Sequence, residues 1–187
     1  MIHLLAKCSN WKFIVPFFLL TTFIIYLFTQ GENEISAIAG EEVTLIDLWD
    51  SYNLGEITSY FELIKEEGRT IHQRLTGAHD MIFPFAYGPL FILVFAFFLK
   101  NIFGEESPWI LLALFPVTTM GVDYLENFNT LKMLSSFPNL SESLVGKGSS
   151  YLEIKNKTTL ISNTLFVVLG IAWLAVTGKK YLQDTSP

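Results

Sequence analysis

Asp80, Asp123 and Glu126, with His79 beside the first, lie in or at the edge of segments otherwise made of apolar side chains. Carboxylate and imidazole together are a known divalent-metal ligand set, and acids gathered in a low-dielectric site suit a proton relay or a cation site. Spacing argues against the metal. No H-x-x-E-H, H-E-x-x-H or Cys/His pair is present, and His79 and Asp80 are sequence neighbours that leave a helix in different directions. We therefore expect no metal and no cofactor, and expect the acids to be paired by Arg69, Arg74, Lys132 or Lys157 at a wet interface. A Ser-His-Asp hydrolase would need a nucleophile elbow such as G-x-S-x-G, which the chain lacks.

The segments that carry these acids are membrane-like. Of 187 residues, 51% are hydrophobic, 15% aromatic and 16% charged, and the mean hydropathy is +0.42, outside the range of soluble globular chains. A net charge of −6 without clustered Lys and Arg excludes a nucleic-acid footprint. Crossing the hydrocarbon core takes about 20 apolar residues, and spans are predicted at about 11–30, 80–100, 108–127 and 158–178. The first is read as an uncleaved anchor, because the small-residue run at 37–39 lies too far beyond it for a signal-peptide cleavage site. Cys8 precedes that apolar run, so it is not read as a lipid acceptor, and a single cysteine cannot form an internal disulfide. Lys7, Lys12, Lys100, Lys179 and Lys180 fall on one side in short segments. By the positive-inside rule both termini are cytoplasmic, with long outer loops at 31–78 and 128–156.

Boundary residues refine this picture. Ser107-Pro108 reads as an N-cap and first-turn proline starting the third span, and Gly178 with Lys179 and Lys180 as the end of the fourth. The outer segment 56–78 carries a helical stripe of Ile57, Tyr60, Phe61 and Ile64. It predicts a short amphipathic helix lying at the membrane interface, a break at Gly68, and a second helix running from about Arg69 into span two.

Polar residues fall on stripes at helical spacing. They are Arg69, His72, Thr76, His79, Asp80 and Tyr87, with Phe83 on the same stripe, on the helix entering span two, Thr119, Asp123, Glu126, Asn127 and Thr130 on span three, and Asn156, Thr159, Ser162 and Asn163 on span four. Alternating span directions bring the three stripes to one depth near the outer surface. Pro84 cannot donate to the carbonyl of Asp80, so that carbonyl needs another donor, and Pro116 interrupts span three.

At these residues the chain resembles a group of functionally uncharacterised bacterial four-span membrane proteins. The shared features are a short helix ending in "EEGR" (66–69), "DMIFPFAYG" (80–88) and "DYLEN" (123–127), followed by Pro138. The resemblance implies four spans and makes Asp80, Tyr87, Asp123, Glu126 and Asn127 the site residues; it implies no reaction.

The reading is an all-α, four-helix transmembrane bundle with an outer amphipathic helix pair, a multi-pass protein of the bacterial inner membrane. Its function is read as non-catalytic, that of an accessory or binding subunit. Asp80, Asp123, Glu126, Asn127, Tyr87, His79, Asn163 and Arg69 are the candidates to hold an ion, proton or lipid headgroup. The expected partners are the lipid bilayer and a membrane complex or second copy of the chain, with no nucleic acid. An ion or proton transporter or channel-forming effector, and an enzyme acting on a lipid headgroup, are the alternatives. No span carries polar residues through its full length, which favours binding over a pore.

Overall fold

The computed structural model describes residues 1–184, most of them helical and with no strand among them. A short helix α1 (Ile2–Cys8) turns at Ser9 into α2 (Trp11–Ala39). Asn10 makes the corner: its side-chain oxygen accepts from the Lys12 amide at 3.0 Å, and its amide donates to the Lys7 carbonyl at 2.8 Å. Gly40 closes α2 in the left-handed conformation, φ 84°, that favours glycine. A strap follows, residues 40–53 with one 3-10 turn at Ile46–Leu48, leading to α3 (Leu54–Leu63). Asn53 and Glu56 cap α3 reciprocally.

The next helix is continuous over 39 residues but changes character twice. It begins as α4 (Lys65–Arg74), widens to a π-helical turn over Leu75–Asp80, and continues as α5 (Met81–Phe103). A 3-10 segment, Pro108–Leu114, buries Ile110 and Ala113 at the three-residue period of that helix, and Pro116 then opens α6 (Pro116–Ser136). After a short turn, α7 (Glu142–Asp184) runs 43 residues.

Four helices are long and apolar enough to cross a membrane: α2, α4–α5, the 3-10 segment with α6, and α7. Only 11% of the most apolar window of α2 and 6% of that of α7 is buried by protein. Phe18, Leu19 and Phe23 on α2, and Leu160, Val168 and Ile171 on α7, stand exposed. An apolar surface of that extent matches hydrocarbon rather than water.

The apolar core has two parts. Phe95, Ala96 and Leu99 pack with Ala6, Ile110 and Ala113 at the end nearer the termini. At the other end Ile35, Val43, Leu45, Ile46, Ile57, Phe61, Ile64, Leu75, Met133 and Leu152 form a head. This head corrects the interfacial helix. The α3 stripe is wholly buried, with Ile57, Phe61 and Ile64 at 0% exposure, but against protein instead of the bilayer surface. The helices supply the partner surface because they continue far past the predicted span ends. Residues 128–136 and 142–156, expected as an outer loop, prolong α6 and α7 as an antiparallel pair, and Asn129 on α6 donates to the Leu144 carbonyl at 3.1 Å.

Two glycines also differ from expectation. The break between α3 and α4 falls at Lys65, which takes a positive φ of 58°, while Gly68 sits inside α4, where a Cβ would press on the Ile64 Cβ at 2.9 Å. Gly178 lies within α7 rather than ending it, because nothing after it stops the backbone ladder before Asp184.

Gly31 is where α2 meets the π turn, and an added Cβ there would run into the Leu75 side chain. Gly31→Val is expected to destabilise the fold by about 1–3 kcal/mol through overpacking. The thermal midpoint in detergent measures it, and Leu75→Ala in the same chain should restore part of the loss.

Candidate functional site

The site lies where the apolar bundle meets the head, and it begins with a backbone defect. The ring of Pro84 clashes with the carbonyl four residues before it and offers no amide. The π turn ending at Asp80 widens the helix at that point, and the freed Asp80 carbonyl accepts from the Asn127 side-chain amide at 3.1 Å. Met81 is treated alike, its carbonyl accepting from the Tyr124 hydroxyl at 3.2 Å. Two residues of α6 thus take the place of the lost backbone donor, and this fixes the height of α6 against α5. Gly88 completes the fit, since any side chain there would overlap Met120.

With the helices so placed, Asp80, Asp123 and Glu126, all buried, converge until carboxylate oxygens of the three lie within 4.8 Å of one another. The Tyr87 hydroxyl donates to Asp123 Oδ2 at 2.9 Å. Thr130 donates to Glu126 Oε1 at 3.2 Å. Lys155 of α7 inserts its ammonium between the other two oxygens, 2.9 Å from Glu126 Oε2 and 3.7 Å from Asp123 Oδ1, with its side chain 12% exposed. Among the described residues no hydrogen-bond donor and no cation reaches the Asp80 carboxylate.

Lys155 corrects the expected pairing. Arg69 donates to the Phe61 carbonyl at 2.6 Å and stacks on Phe137 at 4.5 Å, inside the head. Arg74 pairs with Glu34 and Lys157 with Glu153, all well exposed, and Lys132 is exposed. Of the other candidates, Asp80, Asp123, Glu126, Asn127 and Tyr87 come together as one cluster. His79 is turned aside, its ring edge-on to Phe28 with centroids 6.4 Å apart. Asn163 is exposed while Ser162 next to it is buried. Arg69 and Asn163 therefore lie outside the site.

A cavity of about 480 Å³ adjoins the acids. Ile25, Phe28, Phe83, Phe91 and Leu48 give it apolar walls, and Glu32, Asp47, Asp80, Asp123, Thr119 and Lys155 a polar end. Both α2 and α7 pack on α5 but scarcely on each other, so the cavity lies along a lateral cleft between them. The strap bridges that cleft at its head end. On one side the Leu45 amide donates to Glu32 at 3.1 Å and the Val43 amide to Ser36 at 3.0 Å. On the other the Tyr52 amide donates to Ser149 at 3.0 Å, and Asn156 donates to the Trp49 carbonyl at 2.8 Å. Asp47 hangs from the strap over the cavity. Burial first, and then the charge on Glu126, pushes the Tyr52 phenol up. Burial and then Asp47 do the same to Tyr60, so both phenols stay protonated.

Sequence reasoning missed Lys155, Asp47 and Glu32. The signal for Lys155 was present, since it stands four residues before Thr159 and continues the span-four stripe by one turn. Asp47 and Glu32 had none, because they reach the site only through the path of the strap.

Compared with known proteins, the chain matches no family model, no curated protein and no solved structure.

Removing one partner of a buried ion pair leaves the other charge uncompensated. Lys155→Met is expected to cost about 3–5 kcal/mol, read as a loss of thermal midpoint. Adding Glu126→Gln should recover part of it, since Asp123 stays without its cation, and Lys157→Met, at an exposed pair, should change little.

Proposed function

We propose that the chain is a non-catalytic binding protein embedded in a bacterial inner membrane, an accessory subunit that takes a ligand from the bilayer and holds its polar head among the carboxylates. The observation that carries this reading is the cleft between α2 and α7. It joins apolar walls facing the hydrocarbon to a buried acidic end, and its volume falls within the roughly 300–1,000 Å³ of small-molecule pockets. In this reading both termini are cytoplasmic and the head lies outside, as the distribution of lysines supports. The motifs shared with the four-span bacterial group, "DMIFPFAYG" and "DYLEN", then supply the cluster itself, with Asp80, Tyr87, Asp123, Glu126 and Asn127.

Binding accounts for the site better than conduction does. Below the cavity Phe95, Ala96, Leu99, Ile110 and Ala113 fill the bundle with apolar side chains, which oppose an ion path through one chain.

Orientation is tested in a Cys8→Ser background. Ser150→Cys should react with a membrane-impermeant maleimide on intact cells, and Lys179→Cys only after permeabilisation; the reverse pattern refutes the topology. Binding is tested by native mass spectrometry of the purified full chain. A retained bilayer-derived molecule that Phe91→Trp expels is expected. Bare protein together with ion flux in reconstituted liposomes would instead support a transporter.

A further inference from the structure

The charges around the cavity do not balance, and the imbalance selects a kind of headgroup. Glu32, Asp47, Asp80 and Asp123 line it against one cation, Lys155, which is already engaged by Glu126 and Asp123. Among the described residues no ion pair reaches Glu32, Asp47 or Asp80. Asp80 is 5% exposed, and its carboxylate opens to the cavity with no donor from the described residues on it. A second polar group points to the same space: Thr119, one turn before Asp123, lines the cavity at 5% exposure, and its hydroxyl has no partner.

The shape of the space limits what could answer those groups. The lining extends along α2 from Thr21 to Glu32, about 16 Å of helix at 1.5 Å per residue. Most of that length is apolar and accessible from the side, so a bare cation would leave the Ile25, Phe28 and Phe91 end unfilled. An anionic head would meet three acids that have no cation of their own.

We propose that the cleft binds a membrane-partitioned amphiphile with an ammonium head and no phosphate beside it. The ammonium lies between Asp80, Asp47 and Thr119, and the alkyl stem lies against Phe28, Phe83 and Phe91. This inference rests on the binding reading above and adds the sign and type of the head. An ammonium has the donors that Asp80 lacks, and it adds a second cation to a lining where Lys155 alone stands among Glu32, Asp47, Asp80 and Asp123. The apolar stem accounts for the aromatic walls, among which Phe28 meets Phe83 edge-on at 5.5 Å.

The test uses full-length protein in phosphatidylcholine nanodiscs, with dodecylammonium, dodecanol, dodecyl phosphate, methylammonium and Mg²⁺ as separate probes. Dodecylammonium should bind at least about tenfold more tightly than dodecanol or dodecyl phosphate, a difference of about 1.4 kcal/mol. Asp80→Asn should weaken it roughly 30-fold or more, as loss of a buried charge partner does, and Phe91→Trp should weaken it from the stem end. If Asp80→Asn does not fold, Asp47→Asn on the half-exposed strap takes its place. Equal binding of dodecanol or dodecyl phosphate overturns the ammonium assignment and leaves the binding reading standing. Methylammonium or Mg²⁺ binding as tightly as dodecylammonium shows an ion site and also overturns it. Failure of every amphiphile to bind removes both.

Discussion

Much of this structure depends on where the Lys155 ammonium sits. An ammonium and two carboxylates taken out of water lose several kcal/mol of hydration apiece, of order 5 kcal/mol for each ion after relaxation. They recover it only when the geometry is close. At 2.9 Å from Glu126 it is close, and the remaining Glu126 oxygen is bonded by Thr130 and the remaining Asp123 oxygen by Tyr87. The arrangement tolerates little sliding of α7 on α6, because one turn of displacement would carry the ammonium about 5.4 Å away. Neighbours of Lys155 inherit that register. Leu152 enters the head core at 0% exposure, and Asn156 reaches the strap at Trp49. The strap in turn places Asp47, so a single buried contact sets the height of the roof above the cavity.

The other half of the site rests on a proline. Pro84 withholds one donor from the helix, the π turn makes room for the ring, and Asn127 and Tyr124 provide substitute donors from α6. The acids and the backbone defect are therefore parts of one arrangement. The residues of "DYLEN" bind Lys155 through Asp123 and Glu126 and hold the Asp80–Met81 backbone through Asn127 and Tyr124. A helix without Pro84 would not need Asn127, and α6 would lose its fixed height against α5.

How much of this the sequence discloses depends on whether a residue's role is local. The freed Asp80 carbonyl follows from Pro84 alone, and it is indeed bonded by another helix. The stripe of Ile57, Tyr60, Phe61 and Ile64 marks a buried face, because periodicity reports that a face is covered without reporting by what. Its partner came from helix extensions that hydropathy does not register, since residues 128–136 and 142–156 are polar enough to resemble a loop. Spacing also misassigns neighbours: Asn163 and Ser162 lie about 100° apart on the helix, and only Ser162 turns inward. Arg69 shares a stripe with Asp80 but stands eleven residues earlier, about 16 Å up the helix, and at that height its surroundings are Phe61 and Phe137.

Asp80 separates a purely structural account of the cluster from a binding one. Asp123 and Glu126 are satisfied by Lys155, Tyr87 and Thr130, and stability alone explains them. The Asp80 backbone carbonyl already does the structural work with Asn127, which the carbonyl of another residue at position 80 could do equally well. Its carboxylate adds nothing to that work and opens instead to the cavity, where no donor of the described residues meets it. A group that enters the cavity and donates to that oxygen would give it the partner that the chain does not supply. Because the bundle beneath is closed by Phe95, Leu99 and Ile110, the lateral cleft is the way into and out of the cavity, and that is the ground on which binding is proposed over conduction.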